Sequence, residues 1–280
     1  KDGGLEIIDE GPLRVSAKFS LRISKESWIT QEISLDAVSP FLSFHTQVEW
    51  HENRKFLKVE FPISVRCSNA TYEIQFGHLQ RPTHFNTSWD WARYEVCGQK
   101  WFNLSEHNWG CSILNNNKYG FSTQGNTMSI SLLRAPKAPD NEADMGSHDF
   151  KYAVFPHTGN FQDSGLIQHS YNFNNHIRLV PTNHCAALKR VSFFQLTNKA
   201  IVLETVKKAE NEADALVLRA YESFGGHNST RIISYFDISK VQRCDLLERP
   251  QEELSWKKDG LELDFKPFEI ITLICFLTNI

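Results

Sequence analysis

Apolar and polar residues alternate one by one along most of the chain, the two-residue period of a strand that buries one face and wets the other. Arg14–Ser24 alternates throughout, with Val15, Ala17, Phe19, Leu21 and Ile23 on one face. Leu42–Trp50 sets Leu42, Phe44, Val48 and Trp50 against Ser43, His45, Gln47 and Glu49. Phe56–Phe61, Tyr72–Phe76, Met128–Leu132, Ala215–Ala220 and Leu261–Phe265 repeat the pattern. Ile270–Leu277, the longest apolar run, reads as a buried strand. Turn signals separate these segments at Asp2-Gly3-Gly4, Ser39-Pro40, Asn115-Asn116-Asn117, Gly225-Gly226 and Asp259-Gly260. Nothing comparable supports helices. The charged stretch Lys207–Ala215 has the composition of a helical turn, but fits better as the loop of a hairpin joining Ile201–Val206 to Ala215–Ala220. The expected fold is all-β: a large antiparallel β-sandwich (a supersandwich) followed by a smaller C-terminal β-sandwich. Ala135–Ser147 reads as a long exposed loop inside the first. Alternation is lost over 172–187, so the expected domains are 1–175 and 186–280.

Composition narrows the function classes. The 280 residues suffice for one large domain or two ordinary ones. With 30 Lys and Arg against 33 Asp and Glu, the net charge is −3. That balance gives no electrostatic case for nucleic acid or an anionic membrane, so neither is an expected partner. No apolar run approaches the ~18 residues of a membrane span. The chain opens at Lys1 without a Met and reads as a piece of something longer. Six cysteines (Cys67, Cys97, Cys111, Cys185, Cys244 and Cys275) are widely spaced with no C-x-x-C, which argues against a zinc knuckle or a redox motif. Their even number permits three disulfides. Reduced thiols are expected, because a chain of this length can bury a core without staples. Four N-x-S/T sequons, at Asn69, Asn86, Asn103 and Asn228, suit a secreted glycoprotein but do not decide the compartment.

The densest chemistry lies in His78–Glu95. Pro82 fixes its own φ and disfavours helix at Arg81, giving a stiff loop that presents Gln80, Arg81, His84 and Asn86. Trp89, Asp90, Trp91 and Arg93 follow. Sugars are recognised by planar polar groups that take vicinal hydroxyls and by flat aromatic faces, so the stretch is a candidate carbohydrate surface. The plain alternative is a surface loop whose Arg and His pair with nearby carboxylates. In a strand, Trp89 and Trp91 would share a face, and at least one is expected in the core. Asp90, Glu95 and Glu106 are carboxylates of the kind a glycoside hydrolase pairs. Their expected state is solvated or salt-bridged, and no catalytic residue is assigned. His148 and His157 with Asp149 could form half a metal site, but the spacing matches no ligand pattern, and no metal ligand is assigned. There is no phosphate-cradling loop, G-x-S-x-G elbow or Cys/His nucleophile pair.

Tyr72–Val96, reading Y-E-I-Q-F-G-H-L-Q-R-P-T-H-F-N-T-S-W-D-W-A-R-Y-E-V, resembles the C-terminal region of glycoside hydrolase family 38 α-mannosidases, in their cytosolic class. Val48–Glu52, Lys55–Pro62, Leu104–Glu106, Lys118–Gly120, Leu132–Pro139 and Cys244–Pro250 match in order, so the resemblance spans nearly the whole chain. In that family an N-terminal α/β barrel, followed by a helical bundle, carries the aspartate nucleophile, the acid/base carboxylate and the His/Asp metal cluster. None of those motifs is present here. The resemblance therefore implies the non-catalytic C-terminal part of a retaining α-mannosidase acting on free oligosaccharides. Its implied partners are the N-terminal catalytic domain of the same protein and a mannose-containing oligosaccharide. No cofactor is expected in this chain, and a divalent metal (cobalt or zinc) is expected on the catalytic domain. A cytoplasmic location is implied, with idle sequons and reduced thiols; whether the parent is a homo-oligomer is left open. Gln80, Arg81, His84, Asn86, Trp89, Asp90 and Arg93 are the expected substrate-binding residues, lining one wall of the cleft. The competing expectation is a free-standing carbohydrate-binding or assembly β-sandwich, which an upstream barrel would exclude.

Overall fold

The alternating segments become antiparallel strands in the computed structural model, which describes residues 3–182 and 190–278. Cys185 and the expected domain start at residue 186 lie outside the described residues. The chain divides into two compact units, Lys1–Ile74 with Leu79–Ile177, and Gln75–His78 with Arg178–Ile280.

The first unit contains β1 (Gly3–Glu10), β2 (Arg14–Arg22), β3 (Trp28–Asp36), β4 (Leu42–Trp50), β5 (Phe56–Pro62), β6 (Asn69–Ile74), most of β7 (Gly77–Pro82, from Leu79), α1 (Ser88–Trp91), β8 (Val96–Cys97), β9 (Trp101–Ser105), β10 (Trp109–Asn115), β11 (Gly120–Gln124), β12 (Thr127–Arg134), β13 (Gly146–Thr158) and α2 (Leu166–Asn174). Nine strands form one sheet in the order β1-β2-β3-β4-β13-β10-β9-β6-β7, and four form a second, β5-β12-β11-β8. The core lies between them. Phe102 and Phe121 meet at 4.7 Å, and Phe44 stacks on Tyr152 at 5.1 Å with Phe61 against both. Phe102, Phe121, Ile113 and Met128 are fully buried, and each such side chain contributes roughly 1.5–3 kcal/mol. The expected loop is present between β12 and β13.

Two expectations fail in this unit. The first concerns α2, which no helical period announces. Its sequence, LIQHSYNFN, is rich in residues of poor helix propensity, and its N-cap residue, Gly165, makes no side-chain cap bond. Packing holds it instead: Leu166, Ile167 and Ser170 are buried, and His169 and Phe173 contact Phe155 and Phe41. The second concerns β2. Its alternation is intact, yet Val15 and Leu21 are exposed while Ser16 is buried. The large sheet continues through β1, β2 and β3 past its second layer, so nothing among the described residues of this unit covers the apolar face there.

The second unit contains β14 (Phe194–Leu196), β15 (Ile201–Lys208), β16 (Ala215–Glu222), β17 (Asn228–Ser234), β18 (Ile238–Cys244), β19 (Pro250–Leu254), β20 (Leu261–Phe265) and β21 (Ile270–Leu277). A three-stranded sheet, β14-β17-β20, and a five-stranded sheet, β15-β16-β21-β18-β19, share a core of Leu218, Ile232, Val241, Leu263, Phe265 and Leu273 among others. The β15–β16 hairpin forms as its pattern predicts. β21 sits between β16 and β18, which explains its apolar run, interrupted only by Thr272: a central strand here is covered on both faces. Glu222 is fully buried and accepts from the N–H groups of Phe224, Gly225, Gly226 and Phe268 and from Asn228 Nδ2, which ties the two flanking turns to β16.

Candidate functional site

β7 is the edge of the large sheet, and its last residue, Pro82, has no N–H to lose there. The next residue anchors the loop. Thr83 is buried, its N–H donates to Ser68 O at 2.9 Å, its hydroxyl donates to Cys67 O at 2.8 Å, and its carbonyl accepts from Gly125 N–H at 2.7 Å. The chain then turns into α1 through a capping box. The Thr87 hydroxyl accepts from Asp90 N–H, while the Asp90 carboxylate accepts from the N–H groups of Asn86 and Thr87. Burial opposes ionisation of Asp90, but the Thr87 hydroxyl and the two N–H groups outweigh it and hold the carboxyl below its ordinary value.

This folding brings Arg81, His84, Asp90 and Arg93 to one pocket, with Tyr72, Phe85, Val96 and the β11 residues Ser122, Thr123 and Gln124. Its free space is about 30 Å³, room for a water or a single hydroxyl and not for a hexose ring. The Arg81 guanidinium lies over the Tyr72 ring at 4.8 Å. Its Nη2 reaches Cys97 Sγ at 3.6 Å, while Nη1 is buried without a partner among the described residues. Burial pushes the Tyr72 hydroxyl pKa up; it remains a neutral donor, to Thr123 Oγ1 at 2.8 Å.

The remaining expected residues lie around this pocket. Gln80, Asn86 and Trp89 do not line it. Trp89 and Trp91 are on a helical turn and not a strand, and they are 80% and 64% exposed, so neither packs in the core. The capping box explains this, because it turns the chain before the indoles can reach the sheet. With Phe85 and Tyr94 also exposed, the loop presents an aromatic platform beside the polar pocket. Neighbouring carboxylates are all engaged: Asp90 in its cap and with Arg93 at 3.5 Å, Glu95 by Lys58 and Ser131, and Glu106 by Arg66 N–H and the Trp109 indole. None pairs with Arg81, so the plain alternative of a salt-bridged Arg81 is not realised. Sequence reasoning missed Tyr72, Thr123 and Gln124 as pocket walls; no local signal links β6 to β11 across some fifty positions.

The His148 and His157 pair does not converge. Nine positions apart on β13, they stand roughly 30 Å from each other along the strand and on opposite faces. His148 Nε2 contacts Asp144 O, whereas His157 is buried and accepts from Asn103 Nδ2 at 2.8 Å. Among the described residues no three His, Cys, Asp or Glu side chains are grouped to hold a metal ion. The sequon at Asn103 is buried, its amide engaged by Ser112 and His157. Cys67, Cys97, Cys111, Cys244 and Cys275 are free thiols. No helix among the described residues is long and apolar enough to cross a membrane.

The chain is similar to known proteins. The family model described as "Glycosyl hydrolases family 38 C-terminal domain" matches residues 1–142, and that described as "Glycosyl hydrolases family 38 C-terminal beta sandwich domain" matches residues 200–273. Alpha-mannosidase 2C1 of Homo sapiens is 50% identical over 279 residues, 98% of this chain and 27% of that protein. Alpha-mannosidase G of Dictyostelium discoideum is 40% identical over 288 residues, 99% of this chain and 26% of that protein. The crystal structure of an alpha-mannosidase from Enterococcus faecalis V583 superposes with a TM-score of 0.82 at 17% identity, covering 98% of this chain and 35% of that one, a likeness of fold alone. The chain thus spans 26–27% of the length of these two curated relatives.

Proposed function

Because the chain belongs to glycosyl hydrolase family 38, matching its C-terminal domains, we propose that it serves as the non-catalytic C-terminal part of a retaining α-mannosidase that removes terminal α-mannosyl residues from free oligosaccharides. The observation that carries this is the 50% identity to an alpha-mannosidase over 98% of the chain. A retaining glycosidase needs two carboxyl groups roughly 5–5.5 Å apart, one as nucleophile and one as acid/base. Asp90, Glu95 and Glu106 are each held by protein donors. Both catalytic carboxylates are therefore assigned to the catalytic part, and no chemical step to this chain. A divalent metal (cobalt or zinc) does not fit the residues here, where no three candidate ligands are grouped among those described, and it too is assigned to the catalytic part. The cytoplasmic location and the division into domains 1–175 and 186–280 belong to the same reading; the two compact units support the division.

This chain's part is to receive a sugar hydroxyl at the rim of the cleft. Among the described residues Arg81 Nη1 is a buried donor without a partner, at a pocket sized for one hydroxyl. Trp89 and Trp91 offer faces for the C–H side of the ring beside it. Gln80, His84, Asn86 and Arg93 surround them, and Asp90 holds the turn. In the full-length polypeptide carrying this chain, Arg81→Ala should lower kcat/KM on a mannoside by about 1–3 kcal/mol equivalent, the value of a charge-assisted hydrogen bond. The melting temperature should change little, since what the folded state loses is one cation–π contact of about 0.5–1 kcal/mol and one long, exposed contact to Cys97 Sγ. Normal kinetics with a lowered melting temperature would make Arg81 scaffold. Absence of any α-mannoside turnover from the metal-supplied full-length protein would sink the enzymatic reading itself.

A further inference from the structure

At one end of the large sheet β10 begins where β13 ends, with Trp109 paired to Thr158 and Gly110 to His157. His157 is 8% exposed. A Cβ on Gly110 would lie 2.8 Å from the imidazole Cε1, so the chain omits a side chain there to seat the ring. Behind the ring, the Ser105 hydroxyl donates to Asn103 Oδ1, and Asn103 Nδ2 donates to the Cys111 carbonyl at 3.4 Å and to His157 Nε2 at 2.8 Å. A carbonyl only accepts, which fixes the orientation of the amide and makes Nε2 an acceptor. The proton of the neutral ring therefore sits on Nδ1. Burial favours the neutral form and lowers the pKa; the nearby Thr158 and Gly159 backbone pulls the other way without meeting hydrogen-bond geometry at Nδ1. Among the described residues Nδ1 has no partner. A buried donor of this kind calls for an acceptor from outside the fold.

His157 lines a pocket of about 700 Å³, a size that accommodates an oligosaccharide, and one that shares no lining residue with the Arg81 pocket. Trp109, Thr158, Asp163 and His169 line it as well. The Trp109 indole is half-buried and held in place by its N–H, which donates to Glu106 at 2.9 Å. No Lys or Arg is in the lining, and burial lowers the pKa of His169 too, so the pocket offers no cation to an anionic ligand. Asp163 adds a carboxylate, which repels anions and accepts from hydroxyls. A fixed aromatic wall, a neutral N–H, a hydroxyl and a carboxylate are the groups that take a sugar by its C–H face and its hydroxyls. We propose that this pocket binds a neutral oligosaccharide, with His157 Nδ1–H donating to a sugar oxygen and the Trp109 ring against the C–H face. The class of ligand rests on the lining alone; only the choice of a mannose sugar as one probe rests on the α-mannosidase reading.

The test uses the full-length polypeptide with β-linked mannotriose and with cellotriose, neutral sugars that lack the α-mannosyl bond, so binding is read without turnover. Saturation-transfer NMR titrations give the affinities. His157→Phe keeps a ring and loses the donor, and Thr158→Trp fills the pocket from its exposed rim. Each should weaken binding at least about tenfold, as expected for a lost buried hydrogen bond or a blocked site. Trigalacturonate, of like size but anionic, should bind at least about tenfold more weakly than the neutral sugars. A diazirine derivative of the tighter neutral sugar should photolabel the peptides carrying Trp109 or His157. Binding of cellotriose but not mannotriose supports the pocket and counts against a mannose ligand. Unchanged affinity in Thr158→Trp, equal binding of the anionic sugar, labelling confined to the Arg81 loop, or no binding of either neutral sugar overturns the proposal. Should His157→Phe misfold, Thr158→Trp and the photolabel decide. No readout involves Arg81 kinetics, so failure of the Arg81 reading and failure of this one are told apart.

Discussion

Glu52 shows how one buried carboxylate can make the first unit acid-sensitive. It is 8% exposed, accepts from Ser27 Oγ at 2.7 Å and pairs with Lys55 Nζ at 2.9 Å. The Ser24 hydroxyl, with Lys55 and Ser27, outweighs the opposing effect of burial and brings its pKa from 4.5 to about 2. A folded pKa below the unfolded one means stabilisation that is fully present above about pH 4.5 and lost as pH falls towards about 2. The melting temperature should therefore fall more steeply through that window in the native protein than in Glu52→Gln. At pH 7 the substitution should cost about 1–3 kcal/mol, because charge-assisted bonds are lost from a buried site. Parallel pH curves for the two proteins would assign the acid sensitivity elsewhere. Arg81 is the opposite case at the same scale, a cation that has, among the described residues, an unused donor and a stacking partner but no carboxylate. That asymmetry makes it the residue most worth testing for sugar contact.

At the scale of elements, the four residues of α1 are too few to be stable alone, and the capping box defines them. Asp90→Ala removes one half of the box and should cost about 1 kcal/mol in chemical denaturation. In the full-length enzyme it should also loosen the platform of Trp89 and Trp91, read as raised KM with little change in kcat. Asp90→Asn keeps an acceptor and should recover much of both. If Asp90→Ala lowers kcat/KM with no loss of stability and Asn rescues nothing, Asp90 touches the sugar directly. In the second unit, Gly260 closes the turn into β20 at φ +110°, and a Cβ there would sit 2.2 Å from Ile232 O. Gly260→Ala should destabilise the smaller sandwich by about 3–5 kcal/mol, combining left-handed strain with a backbone clash that no rotamer relieves. A loss under about 1 kcal/mol would mean that the turn relaxes easily.

At the scale of the whole molecule, thiol reactivity should separate surface from core. Burial pushes the Cys111 and Cys275 thiols up to about 12 and Cys244 to about 11, so at pH 8 they are protonated as well as covered. Cys97 is exposed and Cys67 half-buried. A thiol reagent on the folded protein should label Cys97 and Cys67 first, with Cys111, Cys244 and Cys275 reacting only after denaturant is added. Peptide mapping checks the order, and rapid reaction of Cys275 in the native state would contradict the assigned core. The same scale separates what was legible in the sequence. Period-two alternation determined strands such as β2, β4, β5, β12, β16 and β20, the β15–β16 hairpin and the buried β21, because side-chain direction along an extended backbone is a local property that needs no partner. The motif run Tyr72–Val96 pointed to the family for a similar reason, since it is contiguous. Only tertiary structure decided the rest. It placed β11 against β6 and β7 to make the Arg81 pocket, turned Trp89 and Trp91 outward, and held α2 against its own propensity. It also left the β1–β3 face bare although its pattern reads as buried. Alternation says which face of a strand seeks cover; what lies across from that face is set by distant chain, and no period in the sequence reports it.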